Sequence, residues 1–217
     1  MKTTPVKTGM LFLAQTKTVR KWVLAGCLLL AFSGIAASFW YNELVYTLPT
    51  AKPANYRDVK PGTFLDISQK LSADPEKPLF LHFFNPDCPC SRFNMQYFKS
   101  LVKKYGDKVD FQIVALVSNE GYTAERIQDK FGLDIPVSFD SLLAASCGVY
   151  STPQAVIIDQ NKLFFRGNYN KSRYCSDPKT NYAEHAIDSL LLQKYQLNFD
   201  QSAFRAYGCE LPTQCKN

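Results

Sequence analysis

Residues 22–40 read WVLAGCLLLAFSGIAASFW, an apolar run without a single charge. As a helix rising 1.5 Å per residue, the run spans roughly 28 Å, the thickness of a bilayer's hydrocarbon core. No other feature constrains the chain as much, because it divides the sequence into parts that face different solvents. Lys17, Arg20 and Lys21 stand immediately before the run, and a basic flank stays on the cytoplasmic side. Trp22 at one end, and Phe39, Trp40 and Tyr41 at the other, suit the two interfaces. The expectation is a cytoplasmic leader over 1–21, a transmembrane helix over 22–41, and everything beyond lying in a periplasm-like or extracellular space. Two competitors use the same residues. Ala36-Ala37-Ser38 offers a signal-peptidase site, but the leader is long, the run exceeds a usual signal core, and aromatics follow the small residues. Leu24-Ala25-Gly26-Cys27 spells a lipobox, but its apolar stretch follows the cysteine instead of preceding it, which leaves Cys27 an ordinary membrane residue.

Charge divides along the same line. The chain has 25 Lys and Arg against 19 Asp and Glu. The leader holds Lys2, Lys7, Lys17, Arg20 and Lys21 and no acid, so the remainder is close to neutral. A nucleic-acid binder would carry a basic surface on its folded part, so no nucleic-acid partner is expected. Hydrophobic content of 46% suits a globular chain and not a disordered one. Of seven cysteines, six fall beyond the membrane segment: Cys88, Cys90, Cys147, Cys175, Cys209 and Cys215. An even number in an oxidising space permits disulfides.

Beyond the anchor, residues 42–62 with Pro49, Pro53 and Pro61 read as a linker. A domain over 63–196 follows, then a cysteine-containing tail over 197–217. Within the domain, 63–71 reads as a short helix and 79–84 (LFLHFF) as a buried strand. Met95, Phe98, Leu101, Val102 and Tyr105 recur at helical spacing over 91–105, closed by Gly106. A second strand is expected over 109–117, helices over 122–131 and 141–147, and two strands over 154–159 and 163–166 around a hairpin signal. The last helix is expected over 182–195, followed by an irregular tail. Strands alternating with helices indicate an α/β domain with a central sheet.

The run 79–92, LFLHFFNPDCPCSR, resembles the active-site strand, loop and helix start of the thioredoxin superfamily. The run 148–159, GVYSTPQAVIID, resembles the same family's cis-proline loop and following strand, with Thr152-Pro153 as the cis pair. The stretch 153–167 is similar to TlpA-type and peroxiredoxin-type relatives. With its anchor and its DCPCSR, STPQAV and YC elements, the whole chain resembles a membrane-anchored thioredoxin-like family of Gram-negative envelopes. The resemblance implies a thioredoxin-like fold, a central mixed sheet flanked by helices, after one N-terminal transmembrane helix. It also implies an inner-membrane, single-pass protein with its domain in the periplasm. A thiol at a helix N-terminus has its thiolate favoured by unpaired N–H groups and the macrodipole. Cys88-Pro89-Cys90 is C-x-C where thioredoxins have C-x-x-C. Aligning Cys88 with the first family cysteine keeps its distance from the strand; aligning Pro89-Cys90 with the family's Pro-Cys would instead put Asp87 at the nucleophile position. On the first alignment His82 takes the place of a buried Asp that assists proton transfer, and a His there suits a base near neutral pH. The family's cis-proline loop faces the cysteines and pairs with substrate backbone, which assigns Thr152 and Pro153 to positioning. Cys175 lies in the loop before the last helix, which borders the same site, and is a candidate partner for Cys88 or Cys90 or a structural bridge. Cys209 and Cys215 can bridge each other or reach back to the domain.

These residues imply a tethered thiol-disulfide oxidoreductase whose partners are protein thiols or disulfides and a redox partner protein, with no cofactor and no metal. Two alternatives share the residues: a Cu(I) chaperone using two thiolates and His82, and a non-catalytic binding module braced by its cysteines. A peroxidase fits less well, since Asn85 and Asp87 stand where that chemistry wants Thr or Ser.

Overall fold

The computed structural model describes residues 8–42, 44, 48–67, 70–117, 121–194 and 196–212. The chain divides into two compact units, Met1–Val45 and Tyr46–Asn217. In the first, helix α1 covers Thr8–Asn42 and so begins within the segment read as leader. Its stretch Thr16–Asn42 is long and apolar enough to cross a membrane, and its side chains there are exposed throughout.

The second unit is built around β1 (Leu79–Phe84), whose six residues are all buried. A continuous apolar run of this kind belongs at the centre of a sheet covered on both faces. It pairs parallel with β2 (Asp110–Ala115) and antiparallel with β5 (Gln154–Asp159). The short β3 (Val137–Ser138) extends the sheet beyond β2, and β6 (Lys162–Gly167) beyond β5, in the order β3-β2-β1-β5-β6. Gln160 and Asn161 join β5 to β6 with φ of 48° and 59°, the left-handed pair that a tight two-residue hairpin needs.

One face of the sheet carries Phe80, Phe84, Phe111 and Ile157 against α2 (Pro89–Tyr105), α3 (Ala124–Phe131) and α5 (Tyr182–Leu191). The other carries Leu81, Phe83 and Val156 against α4 (Leu142–Cys147). Helix α2 buries Met95, Phe98, Leu101 and Tyr105, the stripe its spacing predicts. Helix α3 starts where the Thr123 hydroxyl accepts from the Arg126 amide and ends at Gly132 in the left-handed region. A mixed sheet in this order, with α2 leaving the end of its central strand, is the thioredoxin-like arrangement.

Three segments depart from the sequence expectation. The described residues of 63–71 are not helical: Gly62 donates to the Leu163 carbonyl at 2.7 Å, Leu163 donates to Thr63 at 2.9 Å, and Phe64 bridges Lys162. The free edge of β6 draws this stretch into extended pairing, which outweighs its local helical preference. The segment read as a linker is fastened to the domain over its described part, with Arg166 ion-paired to Asp58 at 3.0 Å and donating to the Val59 carbonyl. The described part of the tail forms a turn at Gln201–Ala203 and a strand, β7 (Cys209–Glu210), which pairs with β4 (Ser151–Thr152).

Phe98 holds α2 on the sheet, with its ring 6.0 Å from those of Phe80 and Phe111 and fully buried. We expect Phe98→Ala to cost about 3–5 kcal/mol, read as a lowered urea midpoint with an unchanged m-value.

Candidate functional site

Strand β1 ends at Phe84, and Asn85-Pro86-Asp87 turn the chain into α2. The Asp87 amide donates to Asn85 Oδ1 at 2.9 Å, the Cys88 amide to the Asn85 carbonyl at 3.1 Å, and the Asn85 amide to Ser91 Oγ at 3.3 Å. This places Cys88 at the N-cap of α2 in an extended conformation, with Pro89 as the first helical residue. Proline is at home there because its missing N–H would have no helical partner anyway.

Cys88 is disulfide-bonded to Cys209, 121 residues away, with a Cα–Cα distance of 6.1 Å. Its sulfur lies 3.7 Å from the Thr152 carbonyl oxygen. The Thr152–Pro153 bond is cis, as the motif implied. Cys88 is 2% exposed, whereas Cys209 is half-buried. The pairing of β4 with β7 puts Thr152 opposite Cys209 and Ser151 opposite Glu210. Ser151 Oγ donates to the carbonyls of Tyr207 and Cys209, each at 3.1 Å, and meets Thr50 Oγ1 at 2.9 Å. On the strand's far side the Thr50 amide donates to Ala206 at 2.9 Å and Pro49 bridges Tyr207.

Cys90, the second half of the C-P-C motif, carries no disulfide and is buried completely at the start of α2. Cys175 carries none either; Asn94, one turn further along α2, donates to its sulfur at 3.3 Å. Burial pushes the Cys175 thiol up to about 12, outweighing the Asn94 hydrogen bond. Burial also raises the Tyr207 phenol, and charge on Cys175 or Cys90 would raise it further; its hydroxyl donates to the Asn170 carbonyl at 2.6 Å. Cys147 lies apart from these residues, in the core of the opposite face, where burial pushes it up to about 12.

The structure thus brings Cys88, Thr152 and Pro153 together and sets Cys90 two residues along the same helix. Cys175 packs on that helix but is bonded to neither motif cysteine. The partner of Cys88 is a tail cysteine, one of the two that sequence left free to reach back; Cys215 lies outside the described residues. What sequence reasoning missed is the strand that carries Cys209. Its signal was Tyr207-Gly208-Cys209: Gly208 has φ of 119°, and a Cβ there would overlap the Thr152 carbonyl oxygen. Only glycine lets the two backbones come so close.

His82 does not suit the expected role of a base near neutral pH. Its ring is fully buried, stacked on Phe98 at 4.2 Å, with Nδ1 2.6 Å from the Tyr169 hydroxyl. Desolvation disfavours the imidazolium and lowers its pKa to about 3. Among the described residues no group of three or more His, Cys, Asp or Glu side chains is arranged to hold a metal ion.

Residues 62–211 match the family described as "Domain of unknown function (DUF6436)". No match was found among the curated proteins. Among solved structures, an uncharacterized conserved protein from Geobacillus kaustophilus superposes with a TM-score of 0.58 at 17% identity, covering 78% of this chain and 97% of its own. A hypothetical protein from Sinorhizobium meliloti 1021 gives 0.57 at 16% identity, covering 74% and 98%. A putative thiol:disulfide interchange protein from Chlorobium tepidum gives 0.47 at 17% identity, covering 64% and 100%.

Because the folded pKa of His82 is depressed below the usual 6.5, the unfolded chain binds a proton that the folded one refuses. Its contribution is intact above pH 6.5 and is lost as pH falls toward 3. Between pH 7 and 5 this amounts to about 2 kcal/mol. Urea unfolding at the two pH values should show that loss in the native protein and not in His82→Phe, while most carboxylate effects appear below about pH 5.

Proposed function

The chain belongs to the DUF6436 family, and from its site we propose that it is a membrane-tethered thiol-disulfide oxidoreductase working outside the cytoplasm through Cys88. The observation that carries this reading is the position of one sulfur: Cys88 caps α2, lies 3.7 Å from the Thr152 carbonyl and is engaged in a disulfide. Once reduced, its thiolate stands at the positive end of the α2 dipole, which favours the attacking form. The thiolate attacks one sulfur of a protein disulfide and forms a mixed disulfide, releasing the other sulfur as a thiolate. Thr152 and Pro153 position the partner chain beside it. The high pKa of Cys175 keeps that thiol protonated near neutral pH, so Cys88 is better suited to begin exchange. Cys90, fully buried, has no direct path to a protein substrate in the oxidised state.

The apolar stretch Thr16–Asn42, with Lys17, Arg20 and Lys21 near its start, supports an inner-membrane anchor and a periplasmic domain. Substrates are then exported proteins with thiols or disulfides, served by a separate redox partner.

Reaction of the purified, reduced protein with a disulfide-linked peptide tests the chemistry. We expect Cys88→Ser to lower the exchange rate by at least about 100-fold, read by mass spectrometry of the mixed disulfide. Tight stoichiometric Cu(I) binding with an unreactive Cys88 would overturn the assignment. A reporter fused after Asn217 should be active only when it functions outside the cytoplasm; activity confined to the cytoplasm would remove the compartment from the proposal.

A further inference from the structure

Strand β7 sits at the edge beside the cis-proline loop, and it sits there as a bound peptide would. Its backbone pairs antiparallel with Ser151 and Thr152, and its cysteine is bonded to Cys88. The carbonyls of Tyr207 and Cys209 accept from Ser151 Oγ, and the Gly208 carbonyl accepts from Thr50 Oγ1 at 3.4 Å. Tyr207 is anchored separately through its hydroxyl to Asn170. The strand therefore has contacts of its own, independent of the disulfide. It also fills the edge: while β7 is docked, no second chain can pair with Ser151 and Thr152 on that side.

We propose that Cys209 is the resolving cysteine of Cys88, and that its strand occupies the edge at which an extended substrate segment with glycine before its cysteine docks. This inference rests on the oxidoreductase reading above and names both its second thiol and its substrate class. In the reducing direction, the Cys88 thiolate attacks a substrate disulfide, and the departing substrate sulfur takes a proton from solvent. A Cys88–substrate bond replaces the substrate S–S bond. Cys209 then gives its proton to solvent, and its thiolate attacks the Cys88 sulfur. The Cys88–Cys209 bond forms as the second substrate sulfur leaves with the electron pair and is protonated. The substrate has gained two electrons and two protons, and the cysteine pair has lost them. A dithiol reductant reopens the pair by attack at the sulfur of Cys209, the more exposed residue of the two, releasing Cys88 as the leaving thiolate. Return of β7 to its edge both completes resolution and excludes the product. The glycine requirement follows from Gly208: a side chain at that position would overlap the Thr152 carbonyl.

The test uses the reduced full-length protein in detergent and a short peptide containing Gly-Cys, its thiol capped as a disulfide with thionitrobenzoate. Dithiobis-nitrobenzoate serves as a small control that needs no docking edge. Wild type should release thionitrobenzoate, then free peptide, and recover the Cys88–Cys209 bond. Cys209→Ser should release thionitrobenzoate but retain the peptide, with decay of the mixed disulfide slowed about 100-fold or more. Adding Gly208→Val to Cys209→Ser should dislodge the strand and speed peptide capture about tenfold, by more than it changes the rate with the small control. A Val-Cys peptide should be captured more slowly than the Gly-Cys peptide. If the mixed disulfide decays as fast in Cys209→Ser as in wild type, another thiol resolves Cys88 and this inference fails while the oxidoreductase reading stands. Equal peptide capture with and without Gly208→Val overturns the shared edge. If Cys88 in Cys209→Ser reacts with neither disulfide, the oxidoreductase reading itself fails.

Discussion

Strand β1 is bonded along both edges and buried on both faces, and the position of every other functional element follows from it. Its neighbours β2 and β5 fix it laterally, while Phe80 and Phe84 on one side and Leu81 and Phe83 on the other fix its height in the molecule. A strand so constrained cannot slip by one residue without exchanging its two apolar sets. The end of β1 is therefore a fixed point, and Cys88 lies only a short turn beyond it. Strand β5, paired to the opposite edge of β1, begins directly after Pro153. The two halves of the site are thus delivered by adjacent strands of one rigid sheet, although they are far apart in sequence.

Much of this arrangement is legible in the sequence because the elements that make it are strongly patterned. LFLHFF has too many apolar residues to sit anywhere but a two-faced strand, and Met95, Phe98, Leu101 and Tyr105 mark one side of α2 whatever lies across from them. The cis bond at Thr152-Pro153 was legible from the motif around it. Shorter pieces were not. Val137–Ser138, Ser151–Thr152 and Cys209–Glu210 are strands only because a neighbour offers hydrogen bonds, and two residues carry no period of their own. The same holds for 63–71, where an edge of β6 decides against the helix that local composition favours. His82 illustrates another gap: residue type suggested a titrating group, but burial, which no single residue reveals, removes its charge near neutral pH.

The cysteines show how solvation sorts identical side chains. Cys147 and Cys175 are pushed toward 12 by the apolar surroundings that hold them, which makes them poor nucleophiles at neutral pH. Cys88 differs because it stands at the N-terminus of α2, where the positive end of the helix dipole favours a thiolate. Surroundings in the fold thus separate the cysteines, and counting them in the sequence identifies only the candidates.

The unusual C-P-C spacing finds its reason in helix geometry. Residues three apart lie on nearly the same side of a helix, which is why a C-x-x-C pair at a helix start can close on itself. Residues two apart are separated by about 200° around the axis at 3.6 residues per turn. With Cys88 at the N-cap of α2 and Pro89 already in the first turn, Cys90 is carried round toward the interior, where it is completely buried. Cys88 is left facing the cis-proline loop without a helical neighbour to bond. The fold has to bring a second sulfur from outside the helix, and the edge beside Thr152 is where a strand can present one. The C-P-C spacing and the cysteine-bearing strand are therefore complementary: the first leaves Cys88 without a partner in its own helix, and the second supplies one from the tail.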